Sequence, residues 1–463
     1  MSSSEHQRQI WGVTMTTTTT TGVFSAAVLA PVPDETEAYD LPIVGALPPD
    51  LTGRYLRNGP NPLPGENPAH WFGGHGMLHG IRLADGRAEW YRNRWIRTDP
   101  FKGKVTDRRS HRATTANTHI IEHGGCLLAL GEGGFPYQVD RELDTVGPHD
   151  FGGKLRTAMT AHPKQDPVTG ELHFFGYGAT PPYATYHRAD ASGQLVHSAE
   201  IEIAGPTMMH DFAVAENHVI WLDLPVTFDH TLIDRGMPYA WNEQYGARLG
   251  LMPKNGTEVR WFEVDPCYVF HVGNASELPD GRITLDVVRY GRAGWDHMWS
   301  SIGGQVRNGH EVVLSAGRVG GATLHRWTLD PATGVVADQP LDDLEVEFPT
   351  LNEERLGRAN RFLYTVSQPL GAVVKFDTNS GQTSVAELGR DRIPGEAVFV
   401  PAADARNEDD GWLLTVVGDE TGSASELVVL DASDLDSGRV ATVQLARRVP
   451  AGFHGSWIPD PAS

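Results

Sequence analysis

The chain has 463 residues, 40% of them hydrophobic and 21% charged, a balance that argues against disorder and allows a large buried core. Its 38 basic and 59 acidic residues give a net charge of −21, which repels phosphate backbones and argues against nucleic acid as a partner. The two cysteines, Cys126 and Cys267, stand far apart without finger-type spacing. A disulfide framework is therefore not expected, and a reducing, cytoplasmic compartment is.

Residues 1–37 lack the basic start and long apolar core of a secretion signal, and the run "GVFSAAVLA" is too short to cross a bilayer. They read as a mobile tail, with Met15 a second candidate start. From residue 38 to 463 no linker interrupts the chain, so a single domain is expected. Short apolar runs alternate there with tight-turn signals: "ADGR" at Ala84, "DPVTG" at Asp166, "DASG" at Asp190, "PDGR" at Pro279, "DPATG" at Asp330 and "DTNSG" at Asp377. Each pairs a glycine that accepts positive φ with an aspartate that bonds its own turn. Helical periodicity is scarce, so the predicted class is all-β. The 51 glycines allow about two dozen hairpin-linked strands, which favours a β-propeller over a single sandwich. No fixed-period blade motif is visible.

Four histidines fall in matching contexts. His162 in "TAHPKQDPVTGELHFFGY", His210 in "MMHDFAVAENHVIWLD", His271 in "VFHVGNASE" and His454 in "FHGSWIP" each stand beside a predicted strand. A propeller would aim such positions at its axis, where distant segments meet. Spacing alone leaves each of the four open between a hydrogen-bonded structural residue and a metal ligand, because the short HExxH spacing is absent.

An ordered set of motifs goes further: "GRYLRNGPNP", "HWFGGHGMLHG", "ANTHIIEHGGCLLALGEGGFPYQVD", the His162 and His210 segments, "WFEVDPCYVFHVGNASE", "VEFPTLN", "PGEAVFVP" and "FHGSWIP". In this order, over almost the whole chain after about residue 38, they resemble the carotenoid cleavage oxygenases. The resemblance implies a seven-bladed β-propeller with a dome of loops and helix over the metal face. It also implies one Fe(2+) held by His162, His210, His271 and His454, with Glu132, Glu347 and Glu396 accepting the far ring N–H of three ligands. Imidazoles suit such an ion, and a carboxylate on the second nitrogen fixes the tautomer. Thr118 is expected near the open iron positions, and Trp95, Gly131 and Phe135 in the substrate pocket. Two departures stand out: His75 where the family commonly has aspartate, and Ser456 where many members have asparagine. Asp211 is expected to orient its strand entry.

The implied activity is an Fe(II) dioxygenase that cleaves a C=C bond of an apolar polyene, a carotenoid or apocarotenoid, with O2 to give two carbonyl products. Stilbene cleavage is the rival within the family. A calcium-dependent propeller hydrolase and a binding propeller without metal are the rivals outside it. In stilbene-cleaving relatives a lysine precedes the glutamate that here is Glu132, and this chain has Gly131 there. A polyene substrate implies weak peripheral contact with a membrane through an apolar patch.

Overall fold

The computed structural model describes residues 22–460 except 106, 108 and 307–319. The predicted tail up to residue 21, Met15 included, lies outside the described residues. Its remainder corrects the expected boundary at residue 37. Val23, Phe24, Val28, Leu29 and Val32 are buried, and Thr36–Tyr39 pairs with Arg87–Trp95. The "GVFSAAVLA" run is apolar because it packs into the protein.

Seven antiparallel sheets of four or more strands form the blades, and a separate hairpin, Val226–Phe228 with Tyr239–Trp241, lies outside them. Blade 1 spans His119–His123 to Thr145–Pro148, and blade 2 Lys164–Gln165 to Leu195–Ile201. Blade 3 runs from Ala213–Val214 to Arg260–Glu263, blade 4 from Tyr268–Glu277 to Val335–Pro340, and blade 5 from Glu347–Thr350 to Gln382–Glu387. Blades 6 and 7 close the ring twice. Ile43–Gly45 from the N-terminal region pairs with Arg439–Gln444 in blade 6, and the C-terminal Gly455–Pro459 pairs with Gly53–Pro60 in blade 7.

Burial follows position in the blade. Phe362–Ser367 and Ala372–Asp377 are buried at every residue because neighbouring blades cover both faces. Leu195–Ile201, at an outer edge, alternates between buried and accessible positions. The predicted turns join adjacent strands, as at Asp85–Gly86, where both residues have positive φ between Gly76–Ala84 and Arg87–Trp95.

A single α-helix, Arg292–Ser301, occurs among the described residues. It buries Trp295, Met298 and Trp299, an i, i+3, i+4 stripe, and stacks Trp295 on Phe270 with ring centroids 5.6 Å apart. That contact fixes the helix beside His271. No described helix is long and apolar enough to cross a membrane.

Candidate active site

The inner strands share one direction, and each blade delivers a residue to the axis where its strand begins. Thr118 stands at the entry to blade 1, His162 to blade 2, His210 to blade 3, Glu347 to blade 5, Glu396 to blade 6 and His454 to blade 7. His271 differs from the expected boundary position. It lies inside Tyr268–Glu277, where the register shifts between Val269 and Val272. A second irregularity, between Glu347 and Thr350, places Phe348 at φ +54°. Bulges re-aim side chains at functional sites, and here they turn His271 and Glu347 toward each other.

His162, His210, His271 and His454 are all buried, and one ring nitrogen from each lies within 4.8 Å of the others. His162 Nε2 and His210 Nε2 face each other at 3.0 Å, and His271 Nε2 is buried with no hydrogen-bond partner. Two imidazoles bound at about 2.1 Å and at right angles would place their nitrogens about 3.0 Å apart. The arrangement therefore fits a cation between the rings. Burial, followed by the neighbouring histidines, pushes the His162 pKa well below its ordinary value. Burial also lowers His454 to about 4 against the pull of Glu396. Both rings are thus neutral at ordinary pH, as metal ligands must be. On His271 burial acts the same way, but Glu347 outweighs it and the pKa is raised.

The three expected glutamates fall behind three of the rings. Glu347 Oε2 is 2.6 Å from His271 Nδ1, Glu396 Oε1 is 3.0 Å from His454 Nδ1, and Glu132 Oε1 contacts His210 Nδ1. Each carboxylate is held in turn. Tyr290 Oη donates to Glu347 at 2.7 Å, the Gly455 amide to Glu396 at 2.8 Å, and Tyr177 Oη to Glu132. Sequence reasoning missed both tyrosines, since neither stands near its glutamate in the chain.

Asp211 ties together three of the histidine-bearing segments. Its carboxylate accepts from the amides of Phe212 and Val272, both at 2.8 Å, and pairs with Lys164 Nζ at 2.8 Å. Lys164 follows His162 by two residues, Asp211 follows His210, and Val272 follows His271. These contacts put Asp211 at the strand entry where it was expected. The departures are structural in placement: His75 Nε2 faces Glu66 at 3.4 Å and lies outside the histidine group, while Ser456 Oγ donates to the Ile120 carbonyl at 2.5 Å and lies 3.2 Å from His119 Nε2.

A cavity of about 250 Å³ lies over the ring and reaches His210, His271 and His454. Trp71, Phe72, Phe270, Met298, Ile302 and Phe453 make its walls largely apolar. Phe270 meets His210 edge-on at 4.9 Å, and Phe348 stacks on His271 at 5.2 Å. Thr118 borders this cavity and donates its hydroxyl to Asn117 Oδ1 at 3.1 Å.

Of the expected pocket residues, only Gly131 lines it. A Cβ there would lie 3.0 Å from the Ala116 backbone, so close packing of two segments also demands glycine. Trp95 is placed elsewhere: it packs with Val32 and Met77, and its indole donates to the Asn61 carbonyl. Phe135 points into the cluster around Leu128, Leu130 and Phe151 and tilts against His111. Both were matched by position along a strand or loop, and the side-chain direction differs.

Residues 29–459 match the family model described as retinal pigment epithelial membrane protein, RPE65. The chain belongs to this family of carotenoid cleavage oxygenases. It is 40% identical to a carotenoid cleavage oxygenase of Mycobacterium tuberculosis, over 93% of this chain and 96% of that one. The lignostilbene dioxygenase of Pseudomonas brassicacearum superposes with a TM-score of 0.83 at 29% identity, over 95% and 99% of the two chains. The cobalt-substituted apocarotenoid oxygenase of Synechocystis does so with a TM-score of 0.80 at 27% identity, over 94% and 98%. The seven-bladed propeller and the oxygenase class expected from the motifs are both found.

Proposed function

We propose that the chain holds one Fe(2+) on His162, His210, His271 and His454 and cleaves a C=C bond of a carotenoid or apocarotenoid with O2, giving two carbonyl products. The observation that carries this reading is the apolar cavity floored by buried imidazoles, three of them backed by carboxylates. Ferrous iron, when bound, supplies the one-electron chemistry through which O2 reacts with an alkene.

The chain's own residues do the rest. The glutamates hold the Nδ1 protons and leave Nε2 of their histidines free to face inward. The aromatic walls exclude water and fix which double bond lies over the centre, so regiochemistry is set by orientation. Thr118 spends its proton on Asn117, so it borders the reacting space and is no proton donor there. No lysine or arginine occurs among the described residues lining the cavity, so no side-chain cation there pairs with a phenolate. Burying an unpaired hydroxyl costs about 1–3 kcal/mol, which favours a polyene over a hydroxystilbene by about tenfold to a hundredfold.

Aerobic incubation of iron-loaded protein with carotenoids, apocarotenoids and stilbenes, with mass analysis of the aldehydes, tests the substrate. Faster turnover of hydroxystilbenes than of every polyene would overturn it. Labelled O2 tests the reaction: one labelled oxygen is expected in each carbonyl product, and label in only one would point to a monooxygenase. Stoichiometric calcium in place of iron would instead favour a hydrolase. Weak membrane contact is supported by exposed Ile233, four residues before Met237 of the cavity wall. Co-sedimentation with polyene-loaded vesicles should fall for Ile233→Asp, and no sedimentation of the unaltered protein would remove the contact.

A further inference from the structure

The histidine ring has a second side. As the inner strands run on from the metal positions they enclose an axial channel of about 690 Å³, reached by His162, His271 and His454 from the face opposite the apolar cavity. A water needs roughly 10–15 Å³ of such space, so the channel holds many. Its walls mix apolar side chains with charged ones. Lys164 and Asp211 are paired within it, Glu396 is bound to His454, and Glu122 is bound to Arg141.

The side chain of Glu353, like that of Glu354 beside it, makes no hydrogen bond or ion pair to a described residue. Glu353 begins the short turn Glu353–Arg355 after the inner strand of blade 5, where its exposed side chain lines the channel. A carboxylate so placed lowers the energy of a cation passing it. The apolar cavity offers no comparable oxygen, because Glu132 and Glu347 there are committed to His210 and His271.

We propose that a divalent iron ion reaches the four-histidine centre through the axial channel, with Glu353 as the carboxylate that receives the hydrated cation on the way. This rests on the metal reading above. A hydrated ion crossing the aromatic cavity would shed water without replacement, whereas the channel keeps it solvated and focuses the field of an acidic protein on it. Polyene and metal thus use opposite faces, and a bound substrate does not block loading.

The test is metal uptake by the full chain after chelation, with Co2+ alone as probe, quenched by excess chelator and read as protein-bound cobalt. Glu353→Gln should slow uptake about tenfold. Because Glu353 is on the route and outside the ligand set, release to chelator should slow by the same factor and affinity should not move. Glu353→Asp should keep the rate, and Met237→Trp, which narrows the apolar cavity, should leave uptake unchanged. Uptake by Glu353→Gln at the unaltered rate, or faster release, would overturn the route and leave the metal reading intact. No cobalt uptake by the unaltered chain would overturn both.

Discussion

At the scale of single residues, the four histidines are not equivalent. His210, His271 and His454 have a glutamate on Nδ1, and His162 has none, its ring being fixed by packing among the others. Alanine at any of the four removes a donor that no nearby carboxylate can replace. Elemental analysis should show loss of most iron, and full retention in one variant would remove that residue from the ligand set. Glutamine at 132, 347 or 396 keeps the shape and an acceptor, so metal affinity should fall only about 10- to 100-fold. Gly131→Lys tests the pocket reading. Its Cβ meets the Ala116 backbone, so a stability loss of about 1–3 kcal/mol in urea titrations is expected, with no gain of hydroxystilbene turnover.

Among the structural elements, the inner strands owe their precision to polar clasps between their ends. Asp211→Asn loses the charge that holds Lys164 while keeping its own strand position. Metal affinity measured by chelator competition should fall about tenfold, and an unchanged value would reduce Asp211 to a local turn residue. A second clasp joins blades 2 and 3, where Asp166 accepts from Lys254 Nζ at 2.9 Å and from the Val168 amide at 2.9 Å. Burial opposes its ionisation, but Lys254 and the turn amides outweigh burial and hold the pKa well below the usual carboxylate range. The sign follows from that depression. Its stabilisation is present above the unfolded-state value near pH 4 and is lost as pH falls toward the folded one. Asp166→Ala should cost about 3 kcal/mol at pH 7 and flatten the acid limb of the stability curve, because Lys254 is left buried and unpaired.

For the molecule as a whole, closure of the ring depends on segments from both ends of the chain. A chain beginning at residue 38 would lose half of the edge strand Thr36–Tyr39 of blade 7 and five buried apolar side chains, each worth about 1.5–3 kcal/mol when fully buried. Such a truncation should lower the melting temperature sharply or yield aggregates. A melting temperature equal to that of the full chain would restore residue 37 as the boundary. The C-terminal strand joins fold to site, since Gly455–Pro459 completes blade 7 and its first amide fixes the glutamate behind His454.

By itself the sequence determined the propeller class and the residues able to form the centre. Turn chemistry is local: an Asp–Gly pair such as Asp85–Gly86 dictates a hairpin wherever it stands. The four histidines and three glutamates could be named from ordered motifs, but their pairing could not. Glu347 serves His271 across 76 positions of chain and Glu396 serves His454 across 58, so only the closed ring decides which carboxylate meets which imidazole. The same holds for what sequence reasoning misplaced. Trp95 has the size and polarity of a pocket wall, yet its side chain leaves its strand on the face turned to Met77. Tyr177, Tyr290 and the Lys164–Asp211 clasp carry no local signal, because a hydroxyl or an ammonium acquires its role from the group brought opposite it. Chain-local chemistry fixes turns and candidate ligands, whereas the geometry that joins seven distant segments around one axis exists only once the blades have packed.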